Sequence, residues 1–261
     1  MSDTGTHRTS NQDSAFVSAS GAAVADGVGG GPAGDVASAI LVHRLVAGGL
    51  GRLHDTEELR TRLRLANWDI GALTRRDDDL EGMATTFTGV FLHGAALLLA
   101  HVGDSRAYRL RDGVVTRRTR DDSYVQHLVD VGLVAAGDAA THPQRNLVTA
   151  SFSGADTDSD HLTVTLESVL PGDRWMLCSD GVSDYLPEHD LVSILGSDSP
   201  GHAARALVDA SLDADSMDNV TAVVADVISP RFEPAGDLSR ASAAEVAFAG
   251  AAAAMFREEL V

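Results

Sequence analysis

Hydrophobic and polar residues change their spacing several times along the 261-residue chain. From Leu59 to Leu73 the apolar residues step by four and three, which predicts an amphipathic helix over residues 56–76. Between residues 85 and 110 the pattern is typical of short strands separated by turns. Strands are predicted at 22–26, 85–92, 95–102, 106–110, 162–166, 174–178 and 220–227, and further helices at 35–47, 123–131, 189–195, 202–212 and 242–260.

The order of these elements indicates the fold class. Strands follow one another with hairpin signals such as Asp112-Gly113, and the helices are grouped between them. This arrangement favours an α+β fold over a doubly wound one. Pro230 and Pro234 mark the end of the alternating pattern. The sequence therefore predicts a main domain over residues 1–229 and an Ala-rich helical extension over residues 230–261.

Composition and charge narrow the function classes. The chain carries 38 Asp and Glu against 20 Lys and Arg, a formal charge of −18, which argues against binding to a nucleic acid or an anionic membrane. No secretory leader is visible, and the apolar run 241–256 is too short to span a bilayer. A single cysteine, Cys178, fits a reducing compartment, so a cytoplasmic protein is predicted. Cys178, Trp68 and Trp175 are expected in the core.

Four aspartates stand at the ends of predicted strands, each beside small residues. They are Asp26, Asp104, Asp180 and Asp218. If the strands share one sheet edge, these carboxylates converge, and their mutual repulsion then requires a compensating cation. Oxygen ligands of this kind suit Mg²⁺ or Mn²⁺. The alternative is that Asp-Gly and Asp-Ser are ordinary turn formers.

Three other motifs carry competing interpretations. Residues 29–34 (GGGPAG) match the glycine pattern of a dinucleotide site, although no acidic second strand follows at the expected distance. Acidic residues within 156–167 have calcium-loop spacing, but His161 replaces the required glycine. The arginines of residues 117–120 are typical of a solvated surface or, alternatively, of a surface that steers phosphopeptides.

Seven short stretches, in order, resemble the metal-dependent Ser/Thr protein phosphatase family, type 2C, in its bacterial form. The resemblance covers residues 2–228. The stretches are 8–13 (RTSNQD), 24–30 (VADGVGG), 83–86 (MATT), 102–107 (VGDSRA), 142–146 (HPQRN), 177–184 (LCSDGVSD) and 218–221 (DNVT).

The resemblance implies a four-layer αββα sandwich of two antiparallel sheets flanked by helices. It also implies a phosphatase in which two Mn²⁺ or Mg²⁺ ions activate water for direct attack on phosphoserine or phosphothreonine. The resemblance implies that the two ions are held by Asp26, Gly27, Asp180 and Asp218, and that Asp13 contacts them through water. It also implies that a third, weakly bound ion is held by Asp104 and Asp184, and that Arg8 binds the substrate phosphate.

The expected partners also follow from the resemblance. They are phosphorylated proteins, with a Ser/Thr kinase as the opposing enzyme in signalling, and the expected state is a monomer.

Four positions depart from the family pattern. Gln12 replaces a common Glu, which predicts weaker metal binding, and Val28 stands where eukaryotic members have a His. His101 replaces a usual Asn, and Asp122 replaces the His of an Asp-His-Ser run. These changes leave open a second function: a catalytically weak or inactive phosphatase-fold protein that acts as a partner-binding module.

Overall fold

Eleven strands and seven α-helices are found in the residues that the computed structural model describes. Those residues are 1–28, 33–50, 53, 55–228 and 246–258, with the backbone alone for 255–258. The strands are β1 (Ser2–Asp3), β2 (Asp13–Ser18), β3 (Gly21–Asp26), β4 (Phe87–His93), β5 (Ala96–Val102), β6 (Arg106–Arg111), β7 (Val114–Arg117), β8 (Thr163–Ser168), β9 (Arg174–Cys178), β10 (Val220–Asp226) and β11 (Ala247–Gly250). The helices are α1 (Gly34–Ala47), α2 (Thr56–Thr74), α3 (Tyr124–Asp130), α4 (Asp180–Ser183), α5 (Glu188–Leu195), α6 (Pro200–Asp213) and α7 (Ala251–Glu258).

The strands form two sheets. One has six strands in the order β11-β2-β3-β4-β5-β8, and the other has five in the order β1-β10-β9-β6-β7. Every strand pair among the described residues is antiparallel. Because a dinucleotide fold needs a parallel crossover, the glycine pattern at 29–34 does not mark such a site, although residues 29–32 themselves lie outside the described part.

Alternate residues of β3 show how the layers stack. Ala22 and Val24 pack between the two sheets, in a cluster that includes Trp175 of β9. Ala23 and Ala25 face the other way and join the cluster that α1 and α2 cover. This period of two is the pattern of a strand buried on both faces.

The outer face of the five-stranded sheet is also covered by helices. Met176 and Cys178 of β9 pack with Leu191 of α5 and with Leu207 and Val208 of α6. The layers are therefore helices, sheet, sheet and helices, and the predicted αββα sandwich is confirmed.

Most of the predicted elements are confirmed, with ends that differ by a few residues. The hairpin predicted at Asp112-Gly113 joins β6 to β7, with φ of 51° and 77° at these two residues. Two successive positive φ values are typical of a type I′ turn. The calcium-loop interpretation fails, because Asp158 accepts hydrogen bonds from its own loop and Glu167 pairs with Arg118.

The helix predicted over residues 242–260 is wrong at residues 247–250, and residues 242–245 lie outside the described part. Residues 247–250 form β11, which pairs with β2, and only then does α7 begin. Alanine favours a helix locally, but pairing with an open sheet edge and packing of Phe248 on the core override that preference. The described part of the predicted extension thus completes the six-stranded sheet, whereas Pro230 and Pro234 lie outside the described residues.

The two tryptophans have opposite environments. Trp175 is 2% exposed, as predicted, and Cys178 is fully buried. Trp68 is 59% exposed, so its predicted burial is wrong. It lies on α2, whose Leu59, Leu63 and other core residues point to the opposite side of the helix.

Candidate metal centre

Carboxylates from both sheets meet at one end of the sandwich. Asp13 begins β2 and Asp26 ends β3, and the two residues are directly opposed in the antiparallel register. Asp180 follows the end of β9 as the first residue of α4, and Asp218 precedes the start of β10. Neighbouring antiparallel strands place the end of one beside the start of the next, which explains how residues distant in sequence converge.

Threonines of the 83–86 stretch hold the backbone of Asp26. The Asp26 amide donates to Thr86 Oγ1 at 3.1 Å, and the Thr86 amide donates to the Asp26 carbonyl at 2.8 Å. Thr85 Oγ1 donates to the same carbonyl at 2.9 Å. These bonds satisfy the main chain of Asp26 and leave its carboxylate to face the site.

Gly27 is required by close packing. A Cβ at this position would lie 2.5 Å from the Gly34 backbone and 2.7 Å from the Gln12 carbonyl oxygen. The Gly27 amide donates to that Gln12 oxygen at 3.2 Å. Only glycine allows the chain to pass here directly after Asp26.

The pKa values of these aspartates reflect their burial and mutual repulsion. Burial raises the pKa of Asp26 well above its usual range, and the neighbouring Asp13 and Asp180 raise it further. Burial likewise raises the pKa of Asp180, with Asp104 and Asp218 as the next largest causes. The pKa of Asp13 is raised by burial to about 6. Such a cluster is unfavourable when fully ionised unless a cation lies among the carboxylates.

Asp104 and Asp184 form a second acidic group beside the first. Burial raises the pKa of Asp104 to about 7, with Asp121 and Asp184 adding to the shift and Arg106 opposing it. Burial also raises the pKa of Asp184. Arg145 approaches Asp184 at 3.5 Å, so this second group is partly neutralised by arginine.

Arg8 enters the same centre from the N-terminal segment. Its Nη2 donates to Asp218 Oδ2 at 2.7 Å, and its Nε donates to the Met217 carbonyl at 3.4 Å. The guanidinium therefore lies against one of the candidate metal ligands, with its side chain 36% exposed. A planar, partly exposed arginine beside an acidic centre can bind phosphate oxygens with two parallel hydrogen bonds.

Comparison with known proteins assigns the family. A family profile described as Protein phosphatase 2C matches residues 6–214. The chain belongs to the protein phosphatase 2C family. It is 40% identical over 234 residues to the serine/threonine protein phosphatase PstP of Mycobacterium tuberculosis (strain CDC 1551 / Oshkosh), a match that covers 87% of this chain. The chain spans 44% of the length of that relative.

Solved structures of the protein phosphatase 2C family superpose on this one. A crystal structure of the M. tuberculosis phosphatase PstP/Ppp matches with a TM-score of 0.82 at 38% identity, covering 88% of this chain and 97% of that one. The catalytic domain of PstP in complex with two manganese ions matches with a TM-score of 0.79 at 36% identity, covering 88% and 96%.

The donor set of this protein phosphatase 2C member fits divalent metal ions. Asp13 Oδ1 and Asp180 Oδ1 are buried oxygens without a hydrogen-bond partner, which is costly unless a cation takes that place. Carboxylate and carbonyl oxygens are the ligands that Mn²⁺ and Mg²⁺ prefer. Among the described residues, no three acidic, His or Cys side chains already surround a single point.

Sequence reasoning missed residues that position the candidate ligands. Ser179 Oγ donates to Asp13 Oδ2 at 2.8 Å, and Asn219 bonds the Gln12 amide and the carbonyls of Thr4 and Ser10. Both residues lie inside stretches that carry the family resemblance, so a positional signal existed. Their roles did not follow from that signal, because the bonds join residues that are 166 to 215 positions apart.

The departures from the family pattern have structural roles here. His101 is buried, with Nδ1 2.9 Å from Thr88 Oγ1 and Nε2 2.9 Å from the Arg120 carbonyl oxygen. Asp122 Oδ2 accepts from the Gly103 amide at 2.9 Å and so braces the turn that presents Asp104. Two of the four departures therefore support the loops around the second acidic group.

A cavity of about 530 Å³ opens beside that second group. Its lining includes the charged residues Asp104, Asp184 and Arg145 and the apolar residues Val125 and Val129 of α3. The arginines of residues 117–120 form ion pairs: Arg117 with Asp121, Arg118 with Glu167 at 2.7 Å, and the more exposed Arg120 with Asp130. Arg117 and Arg145 both line the cavity, and Arg145 is itself paired with Asp184.

Proposed function

We propose that this chain is a metal-dependent protein serine/threonine phosphatase. The observation that carries the proposal is a buried cluster of aspartates with unpartnered oxygens, met from outside by Arg8. Such an arrangement can hold a phosphate group between cations and an arginine. The names of the relatives, and the two manganese ions in a solved PstP structure, support the same conclusion.

The residues that would hold the metal ions come from five chain segments. Asp26, Gly27, Asp180 and Asp218 would ligate two Mn²⁺ or Mg²⁺ ions, with Asp13 contacting them through water. Asp104 and Asp184 would hold a third, weaker ion. When bound, the ions offset the repulsion among the carboxylates and activate water for attack on phosphorus.

The protein's own groups then have distinct tasks. Arg8 binds and orients the phosphate through its planar fork. Ser179 and the Thr85–Thr86 pair keep Asp13 and Asp26 in fixed orientations. Partial burial limits the bulk water around the carboxylates, which strengthens each electrostatic interaction with the substrate.

The substrate class that fits is a protein that a Ser/Thr kinase has phosphorylated in a cytoplasmic signalling pathway. The open cavity beside Asp184 is large enough for residues that flank a phosphorylated side chain. No helix in the described part of the chain has the length and apolar character needed to cross a bilayer. The strongly negative charge of −18 disfavours a nucleic-acid substrate.

Hydrolysis of a phosphothreonine peptide by the purified chain tests the proposal. With Mn²⁺ we expect turnover, and with EDTA we expect none. Asp218→Ala should lower kcat/KM by about a hundredfold or more, because it removes a ligand of the cations that stabilise the transition state. Asp209→Ala, an exposed aspartate of α6, is the matched control and should retain full activity.

The same experiment addresses the partner-binding alternative. A folded chain that binds Mn²⁺ but hydrolyses no phosphopeptide would favour a catalytically inactive module. Full activity in Asp218→Ala would instead show that the proposed centre is not the site of the reaction.

A further inference from the structure

Residues 4–12 carry Arg8 from one sheet to the other. They join β1 of the five-stranded sheet to β2 of the six-stranded sheet. All of them lie in the described range 1–28, and they form neither helix nor strand. Such a segment has no regular ladder of backbone hydrogen bonds to fix its path, so its polar backbone groups need other partners. The position of Arg8 therefore depends on contacts that other parts of the chain make with this segment.

Asn219, which comes directly before β10, binds both ends of the segment. Its Nδ2 donates to the Thr4 and Ser10 carbonyls, each at 2.9 Å, and its Oδ1 accepts from the Gln12 amide at 2.8 Å. Asn219 is 4% exposed, so water competes little for these bonds. Two carbonyls and one amide require two donors and an acceptor, which an asparagine supplies and an aspartate does not. The three bonds draw the ends of residues 4–12 together into a closed loop.

The closed loop lies against the turn that precedes β10. Gly5 has a φ of +76°, and a Cβ there would lie 2.4 Å from the Asp218 carbonyl oxygen. Glycine is therefore required where the loop passes the Asp218 backbone. His7 Nε2 lies 2.8 Å from Asp215 Oδ1, and Arg8 Nη2 donates to Asp218 Oδ2 at 2.7 Å. The path of the loop thus sets the place from which the guanidinium reaches the candidate metal centre.

We propose that Asn219 is the positioning residue for Arg8. Its three bonds keep the loop, and with it the guanidinium, beside Asp218 before a substrate arrives. An arginine that is already oriented binds phosphate more tightly, because less side-chain entropy is lost when the complex forms. Asn219 acts through Arg8 and need not touch the substrate. The inference rests on the proposed function, in which Arg8 binds the substrate phosphate.

Phosphothreonine-peptide kinetics test the coupling of Asn219 to Arg8, with Mn²⁺ kept saturating for each variant according to its own titration. Asn219→Ala should raise KM about fivefold or more, because the loop that presents the guanidinium opens. In an Arg8→Ala background the same change should raise KM no further, because a residue that acts through Arg8 then has nothing to position. Equal increases of KM in the two backgrounds would overturn the proposal.

Asn67→Ala is the matched control. Asn67 is likewise 4% exposed, and its side chain donates to the Ala155 carbonyl and accepts from the Gly154 amide, both at 2.8 Å. It lies on α2 and makes none of the contacts with residues 4–12. Its loss should lower the melting temperature and leave KM unchanged. A rise of KM as large as that in Asn219→Ala would mean that lost stability alone explains the effect, and the proposal would fall.

Hydrogen–deuterium exchange in EDTA tests the closed loop without relying on activity. The amides of residues 4–12 should exchange about tenfold faster or more in Asn219→Ala, and at an unchanged rate in Asn67→Ala. Unchanged exchange in a folded Asn219→Ala chain would refute the closed loop. If that variant does not fold, Gly5→Ala takes its place in both experiments, since its Cβ would push the loop away from Asp218. A wild-type chain that hydrolyses no phosphopeptide would refute the proposed function, and the exchange rates would still decide whether Asn219 closes the loop that holds Arg8.

Discussion

Arg8 is the residue that would couple metal binding to phosphate binding. It donates to Asp218 Oδ2 at 2.7 Å, so the same carboxylate oxygen cannot be fully available to a metal ion while this bond persists. If Asp218 held a metal ion, the Arg8 guanidinium would be free to face a phosphate group. The two binding events are therefore expected to favour each other.

Replacing Arg8 separates these two roles. Arg8→Ala should raise KM for a phosphothreonine peptide about tenfold or more, since it removes a charged, bidentate contact. The dissociation constant for Mn²⁺, measured by calorimetry, should be unchanged or lower, because Asp218 loses a competing cation. Arg8→Lys keeps the charge without the planar fork and should give an intermediate KM. Weaker Mn²⁺ binding with an unchanged KM would contradict this account.

At the scale of secondary-structure elements, β11 is the least expected feature. It adds a strand to the edge formed by β2, and its pairing extends to Gly250 opposite Ser14. The Ala252 amide then donates to Ser14 Oγ at 3.0 Å, which ties the start of α7 to the strand that begins with Asp13. This C-terminal strand thus supports a candidate metal-contacting residue near the opposite end of the chain.

Gly250 provides a direct test of that support. Its φ is +67°, and a Cβ there would lie 2.0 Å from the Asp13 carbonyl oxygen. Gly250→Ala should reduce the free energy of unfolding by about 2–4 kcal/mol and weaken Mn²⁺ binding, because the Asp13 backbone must move. Gly94→Ala is the matched control: its φ is +57° but the space beside it is open. It should cost about 1–2 kcal/mol, for backbone strain alone. Equal losses in urea unfolding would argue against the steric explanation.

At the scale of the whole molecule, the sandwich concentrates negative charge in its interior. The two sheets bring five or more carboxylates to one end, and burial raises the pKa of Asp13 to about 6 and that of Asp104 to about 7. In the unfolded chain these groups have a pKa near ~3.9. Folding is therefore favoured when they are protonated, and this contribution is lost as the pH rises through 6 and 7.

Thermal unfolding in EDTA tests this pH dependence of stability. The melting temperature should fall by several degrees between pH 5 and pH 8. Mn²⁺ should raise the melting temperature more at pH 8 than at pH 6, because the ions replace protons among the carboxylates. Asp104→Asn should reduce the fall of the melting temperature with pH in EDTA. Added salt screens only the exposed part of the −18 charge, so most of that fall should persist in salt. A melting temperature that rises with pH in EDTA would contradict the assignment.

Hydrophobic patterns in the sequence predicted most of the elements, and the resemblance of its motifs to a known family implied the layer order and the candidate ligands. Hydrophobic patterns with a period of two or of 3.6 residues indicate which face of each element is buried. Short polar motifs at strand ends, as at Asp26 and Asp180, can be recognised directly in the sequence. What a buried face packs against was decided only by the tertiary structure. An alanine-rich segment became β11 because β2 offered an open edge, and Trp68 stayed exposed because another stripe of α2 filled the core. The Arg8–Asp218 contact and the Ser179–Asp13 bond likewise join segments that only folding brings together. Local spacing carries no information about such long-range pairs, since their energy depends on burial and geometry created by the whole chain.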